Sequence, residues 1–132
     1  HVEVAEKWSA ELRNQRNIIK KMEQNYIVLL VQNLLNSSSD VVFYQHDTPD
    51  MLFLSKLANA VLKRDHGKTL ILGGGIKEGV FLIHAPGFDI STHKQEILNM
   101  ISGRGGGKPP RMQGKATNIA NLKNVVRVFN QP

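Results

Sequence analysis

The sequence predicts an α/β fold: a small mixed β-sheet covered by helices and preceded by a long helical arm. Three observations carry this reading. Residues from about Val4 to Asn36 contain no Gly or Pro and place apolar side chains three and four residues apart. Behind that stretch, short runs of β-branched and aromatic residues alternate with amphipathic segments that open on capping residues. Alternation of this kind describes a sheet whose faces are buried under helices.

The arm comes first. Ala5, Trp8, Leu12, Ile19, Met22, Tyr26 and Leu29 form its apolar stripe, interrupted by Gln15. At a rise of ~1.5 Å per residue the arm is about 50 Å long, more than a small domain can cover. Two readings stay open. In one, Tyr26 to Leu35 pack on the domain and the rest is a solvated extension. In the other, the arm makes a coiled-coil or hairpin contact with another chain or with a preceding segment, and Trp8, Leu12 and Ile19 are its contacts. Ser37-Ser38-Ser39-Asp40 is expected to end the helix, dividing the chain into an arm (1–36) and a globular domain (37–132).

The continuous apolar run Val41-Val42-Phe43-Tyr44 reads as an interior strand. Thr48-Pro49-Asp50 reads as a helix start, with a capping hydroxyl, Pro at the first helical position and an acid in the first turn. That helix runs through Leu54, Leu57 and Val61 to a stop at Asp65-His66-Gly67. Thr69–Leu72 and Val80–Ile83 are strands, with Gly73-Gly74-Gly75 and Glu78-Gly79 between them as a hairpin turn. Ser91-Thr92 caps a helix carrying Ile97, Leu98 and Ile101, with Gly103 just past its end. Met112–Ala116 is a short strand. Thr117 caps a last helix with Ile119, Leu122, Val126 and Phe129 inward.

Charge is distributed unevenly. From Ile97 to Pro132 there are six basic residues (Arg104, Lys108, Arg111, Lys115, Lys123 and Arg127) and no acid, whereas the preceding 96 residues hold 11 of each sign. The net charge of +6 therefore sits in one segment. Such a segment suits a polyanion, and phosphate backbone is the commonest one. The tail has no interleaved Tyr or Trp, so charge contacts to phosphate fit it better than base stacking. Within it, Gly105, Gly106 and Gly107 can bring backbone N–H groups close to an anion, flanked by Arg104 and Lys108. The alternative for the run 103–110 is a flexible surface loop with solvated charges.

Other chemistry is excluded or unsupported. The run is not a nucleotide-binding P-loop, because Ser102 holds the place of the first Gly and Pro109 follows the Lys. Lys108 stands where a dinucleotide fingerprint needs its third Gly. The absence of Cys removes disulfides and thiolate metal sites and suits a reducing, cytoplasmic setting. The five His have no His-x-x-x-His spacing, so neither a metal nor a cofactor is expected. No Ser/His/Asp set or carboxylate pair marks a catalytic centre. The longest apolar stretches are far short of a membrane span. The chain does not begin with Met, and is read as a piece of a longer protein.

The segment Ile101-Ser-Gly-Arg-Gly-Gly-Gly-Lys-Pro-Pro-Arg-Met-Gln-Gly-Lys-Ala-Thr117 resembles the glycine-rich signature of the DHH-associated domain. That domain is called C-Ala in alanyl-tRNA synthetases and also closes the AlaX-related alanyl-tRNA editing proteins. The order of elements is similar along essentially the whole chain. The resemblance implies a non-catalytic module that helps hold the elbow or stem of tRNA for alanine, with DNA as an alternative target, and it adds Gln113 of the Gln-Gly step to the binding residues. The parent would hydrolyse Ser or Gly wrongly attached to that tRNA, or would attach Ala. The zinc elements of the editing site and the Asp-rich motifs of DHH phosphoesterases have no counterpart, so no catalysis is carried over. Pro109-Pro110 departs from the pattern, in which one Pro or none follows the Gly-Lys step.

Overall fold

A computed structural model describes residues 2–36 and 40–129, with side chains from residue 8 onward. Helix α1 (Val2–Leu35) leads into strand β1 (Val41–His46), helix α2 (Met51–Arg64) and strands β2 (Thr69–Gly75) and β3 (Gly79–His84). Helix α3 (Ile90–Ile101), strands β4 (Gly103–Gly106) and β5 (Arg111–Ala116), a 3-10 turn (Ile119–Asn121) and helix α4 (Leu122–Phe129) complete the chain. The sheet order is β1-β2-β3-β5-β4, with β1 and β2 parallel and every other pair antiparallel. The predicted mixed α/β fold with a leading helix is what the chain adopts.

Strand alternation assigns each helix to a face. Val42, Leu70, Leu72, Val80 and Leu82 bury one face under α1 and α2, against Ile27, Val31, Leu54, Leu57 and Val61. Ile71, Phe81, Ile83, Met112 and Ala116 bury the other under α3, the 3-10 turn and α4, against Ile97, Ile101, Ile119, Leu122 and Val125. Helix α4 packs over β1 and β2, with Leu122 seated against Gly73.

Several local expectations are corrected. Strand β1 is at the sheet edge rather than its interior; it reads as continuously apolar because Val42 and Tyr44 pack on one face while Val41 and Phe43 pack on the other. Gly73, Gly74 and Gly75 belong to β2, and the turn is at 76–78. Helix α3 starts from Asp89, to whose carboxylate the Thr92 hydroxyl donates at 2.6 Å, and it ends on Ser102 in the left-handed region (φ 50°), one residue before Gly103. Thr117 does not cap the last helix: its hydroxyl donates to the Ser102 carbonyl at 3.2 Å, and Val125 and Val128 are more deeply buried than Val126 and Phe129.

The α2 cap is Asp50 rather than Thr48. Its carboxylate accepts from the Phe53 N–H at 3.1 Å. Asp50→Ala should cost about 1 kcal/mol of stability, read as a lowered urea midpoint at unchanged slope, whereas Thr48→Ala should be nearly silent.

The arm meets the domain through a different side from the expected stripe. Ile27 and Val31 are buried, and Leu30, Leu34 and Leu35 pack beside them. Trp8, Leu12, Ile19, Met22 and Leu29 point into solvent. From Tyr26 to Leu35 apolar residues occur all round the helix, so the long regular seam dominates the pattern while the domain takes the neighbouring side. Tyr26 fixes the exit of the arm. Its hydroxyl hydrogen-bonds that of Tyr44 at 3.0 Å, Tyr44 bonds His46 Nδ1 at 3.0 Å, and the Tyr26 ring stacks on Phe53. Burial, followed by the Tyr26 hydroxyl, raises the Tyr44 phenol above its ordinary pKa. Lys56 on α2 pairs with Glu23 at 3.3 Å. Ser37–Ser39 and the Ala5 side chain, both named above, lie outside the described residues.

Candidate nucleic-acid interface

The glycine run forms an edge strand, which the sequence reading missed. Gly103-Arg104-Gly105-Gly106 is β4, paired antiparallel with β5 so that Arg104 faces Lys115, Gly105 faces Gly114 and Gly106 faces Gln113. Close strand approach explains two of these glycines. A Cβ on Gly114 would meet the Arg104 carbonyl oxygen and lie 2.6 Å from Gly105 Cα; one on Gly105 would meet the Gln113 carbonyl oxygen. The turn follows at 107–110, where Gly107 has φ 137° and the Arg111 N–H donates to the Lys108 carbonyl at 2.9 Å. No β-branched residue marks β4, so periodicity gives no strand signal there; the pairing with β5 imposes it.

Alternation along β5 sorts the candidate residues. Met112 and Ala116 are buried toward α3. Arg111, Gln113 and Lys115 therefore point to the opposite face, in register with His84, Leu82 and Val80 of β3. Helices α1 and α2 cover that face over β1, β2 and β3 and stop there. Over β5 and β4 it is open, and Arg104, Gln113 and Lys115 are exposed on it.

The Arg104–Lys115 pair is the central feature. The two cations occupy directly opposed positions on paired strands, an arrangement that costs stability through like-charge repulsion. They line a cleft of about 810 Å³ with Pro49, Glu78, Val80 and Thr117. Among the described residues, neither has a carboxylate within ion-pair distance. An anion seated between them would relieve the repulsion, and the cleft is open enough to admit one.

At the far end of the same strip, Arg111 lies beside His84. Burial first, and then the Arg111 charge, lowers the pKa of the His84 imidazole below its ordinary value. Its buried Nδ1 has no hydrogen-bond partner among the described residues. Lys94 from α3 reaches the hairpin tip, its Nζ 3.8 Å from where a Gly106 Cβ would sit. It lies before the acid-free tail, and only the packing of α3 under the hairpin brings it there. Lys108 is exposed in the turn.

The other two predicted cations are elsewhere. Lys123 and Arg127 are exposed on α4, which lies on the opposite face of the sheet and over its opposite edge. The acid-free tail is contiguous in sequence but divided in space. Among the described residues there is no cluster of His, Cys, Asp or Glu fit to hold a metal ion, and no helix long and apolar enough to cross a membrane.

Comparison with known structures places this architecture. The chain superimposes on the C-Ala domain of Aquifex aeolicus alanyl-tRNA synthetase with a TM-score of 0.56, covering 67% of this chain and 86% of that one at 17% identity. The fold is that of C-Ala. A part of RecJ from Thermus thermophilus shares the architecture, with a TM-score of 0.58 over 83% of this chain and 18% of RecJ at 11% identity. In sequence, the chain is 27% identical over 131 residues to the alanyl-tRNA editing protein Aarsd1 of Rattus norvegicus and 26% identical over 126 residues to that of Mus musculus. These alignments cover 95% and 91% of this chain but only 31% and 30% of the relatives' lengths. No family model matches. The relatives and the C-Ala fold together support the C-Ala-type resemblance drawn from residues 101–117.

Proposed function

We propose that this chain is the tRNA-binding C-Ala-type module of a longer protein that edits or charges tRNA for alanine, and that it grips phosphate backbone through the open face of the β4–β5 hairpin. The names of the sequence relatives support the choice of tRNA. The observation that carries the binding mode is the facing pair Arg104 and Lys115, two cations with no carboxylate partner among the described residues, in a cleft of about 810 Å³. Arg111 and Gln113 extend the strip, and Lys108 and Lys94 add charge at its tip. No aromatic side chain alternates with them on β4 or β5, so the face suits phosphate and sugar rather than unstacked bases. Binding is the role assigned to these residues, and hydrolysis or aminoacylation belongs to the rest of the parent.

Titrating fluorescently labelled tRNA for alanine across a salt series tests this reading. If Arg104, Lys108, Arg111 and Lys115 each meet a phosphate, log K should fall against log salt with a slope of about −3, at ~0.7–0.9 per contact. Unlabelled tRNA should displace the complex at lower concentration than duplex DNA at matched salt. No binding at low salt would overturn the proposal, and equal displacement by DNA would replace tRNA with a generic polyanion.

A further inference from the structure

We propose that the groove between α1 and α2 is a docking site for an acidic amphipathic helix of another protein. The groove has a volume of about 720 Å³. Ile27 and Val31 of α1 and Ala60 of α2 form its floor. Ala60 stands one turn from both Lys56 and Arg64, and its small side chain leaves the groove open between them. Val28, at the lip, is 53% exposed although it lies one residue from the buried Ile27. A floor of apolar residues at helical spacing on two adjacent helices is the surface that takes the apolar ridge of a third.

Charge selects the occupant. The α1 lip is neutral: Gln24 and Gln32 flank Val28, and the sequence holds no charged residue from Gln24 to Ser39. The α2 lip carries Lys56, Lys63 and Arg64, which share one flank of that helix. Lys56 is paired with Glu23 at 3.3 Å. Among the described residues, Lys63 and Arg64 have no carboxylate within ion-pair distance. The neighbouring Asp65 carboxylate accepts the Gly67 N–H at 3.1 Å. An occupant must therefore offer an apolar ridge to the floor and acids along the single flank that faces α2.

A nucleic acid fits this surface less well. Phosphate would match Lys63 and Arg64 but gain nothing from Ile27, Val28 and Val31, and no aromatic side chain among the described residues lines the groove to stack a base. The groove also uses none of the residues assigned to tRNA on the β4–β5 hairpin, and Ile27 separates it from the Trp8–Leu29 seam around α1.

The probe is a fluorescein-labelled amphipathic peptide of about 18 residues, with Leu at helical spacing and Glu along one flank of that ridge. A second peptide carries Lys in place of each Glu. Titrated into the 132-residue chain, the Glu peptide should bind and the Lys peptide should not. Amide shifts in the protein should move at Val28, Val31, Asn59 and Ala60. Lys63→Glu with Arg64→Glu should weaken the Glu peptide by roughly tenfold or more and give the Lys peptide measurable affinity. Val28→Asp should weaken both pairings while leaving the melting transition in place, because Val28 is half exposed in the single chain. The proposal is overturned if the Glu peptide fails to bind at millimolar concentration, if Val28→Asp binds it unchanged, or if the shifts fall elsewhere. Labelled tRNA that moves the same amides and loses affinity in Lys63→Glu/Arg64→Glu also overturns it, giving the groove to nucleic acid.

Discussion

Replacing Gly114 by Val is expected to destabilise the domain by about 2–3 kcal/mol, in the upper range for forcing atoms into packed space, and to release β4 from the sheet. A Cβ at this position would meet the Arg104 carbonyl oxygen and lie 2.6 Å from Gly105 Cα and 2.9 Å from the Arg104 carbonyl carbon. All three are backbone atoms, so no rotamer change relieves the clash. The strand itself must move. Because β4 is a four-residue edge strand, moving away from β5 is its easiest response. Urea unfolding should show the loss as a lower midpoint. Hydrogen exchange should show it locally, with protection lost along Gly103–Gly106 and retained in β2 and β3. Gly106→Ala is the control. The nearest atom to its added Cβ is the mobile Lys94 Nζ at 3.8 Å, so the change should be tolerated within about 1 kcal/mol in either direction. If Gly114→Val folds with unchanged stability, the pairing of Gly105 with Gly114 is not what requires glycine there. If Gly106→Ala leaves stability intact but abolishes tRNA binding, the glycines serve close approach of a ligand instead.

The same residues mark where sequence reading reached its limit. Buried strands and their covering helices were legible because their evidence is local: Thr69–Leu72 and Val80–Ile83 are short apolar runs bounded by glycines and turn residues, and Leu54, Leu57 and Val61 recur at helical spacing. Strand β4 was not legible, since Gly-Arg-Gly-Gly has no strand propensity and becomes a strand only by pairing with Arg111–Ala116. The cap at Asp50 and the edge position of β1 depend on backbone geometry and strand order, which no short window contains. On α1 the regular seam was visible, but which side the domain covers follows from tertiary packing. The basic tail carried the clearest signal and the most misleading continuity. Six cations along 36 residues read as one patch; inserting β5 beside β3 and returning α4 over β1 and β2 separates Arg104 and Lys115 from Lys123 and Arg127.

That separation makes a sharp expectation for binding. The double variant Arg104→Ala/Lys115→Ala should lose roughly a hundredfold in affinity for tRNA at low salt, taking ~1.5 kcal/mol for each charged hydrogen bond and 1.4 kcal/mol per tenfold. Its salt slope should fall in magnitude by about 1.5, two phosphate contacts at ~0.7–0.9 each. Stability should change by no more than about 0.5 kcal/mol, because both side chains are exposed and their removal relieves a like-charge contact. Lys123→Ala/Arg127→Ala removes the same net charge from the other face. If long-range attraction to the whole basic segment dominated, the two double variants would weaken binding equally, since each lowers the net charge by two. If the β4–β5 face is the contact, the first loses most of the affinity and the second loses only the small steering contribution that salt screens. Anisotropy titrations of both variants at two salt concentrations distinguish the cases: equal losses remove the hairpin face as the binding site, and a larger loss in Lys123→Ala/Arg127→Ala transfers the site to α4.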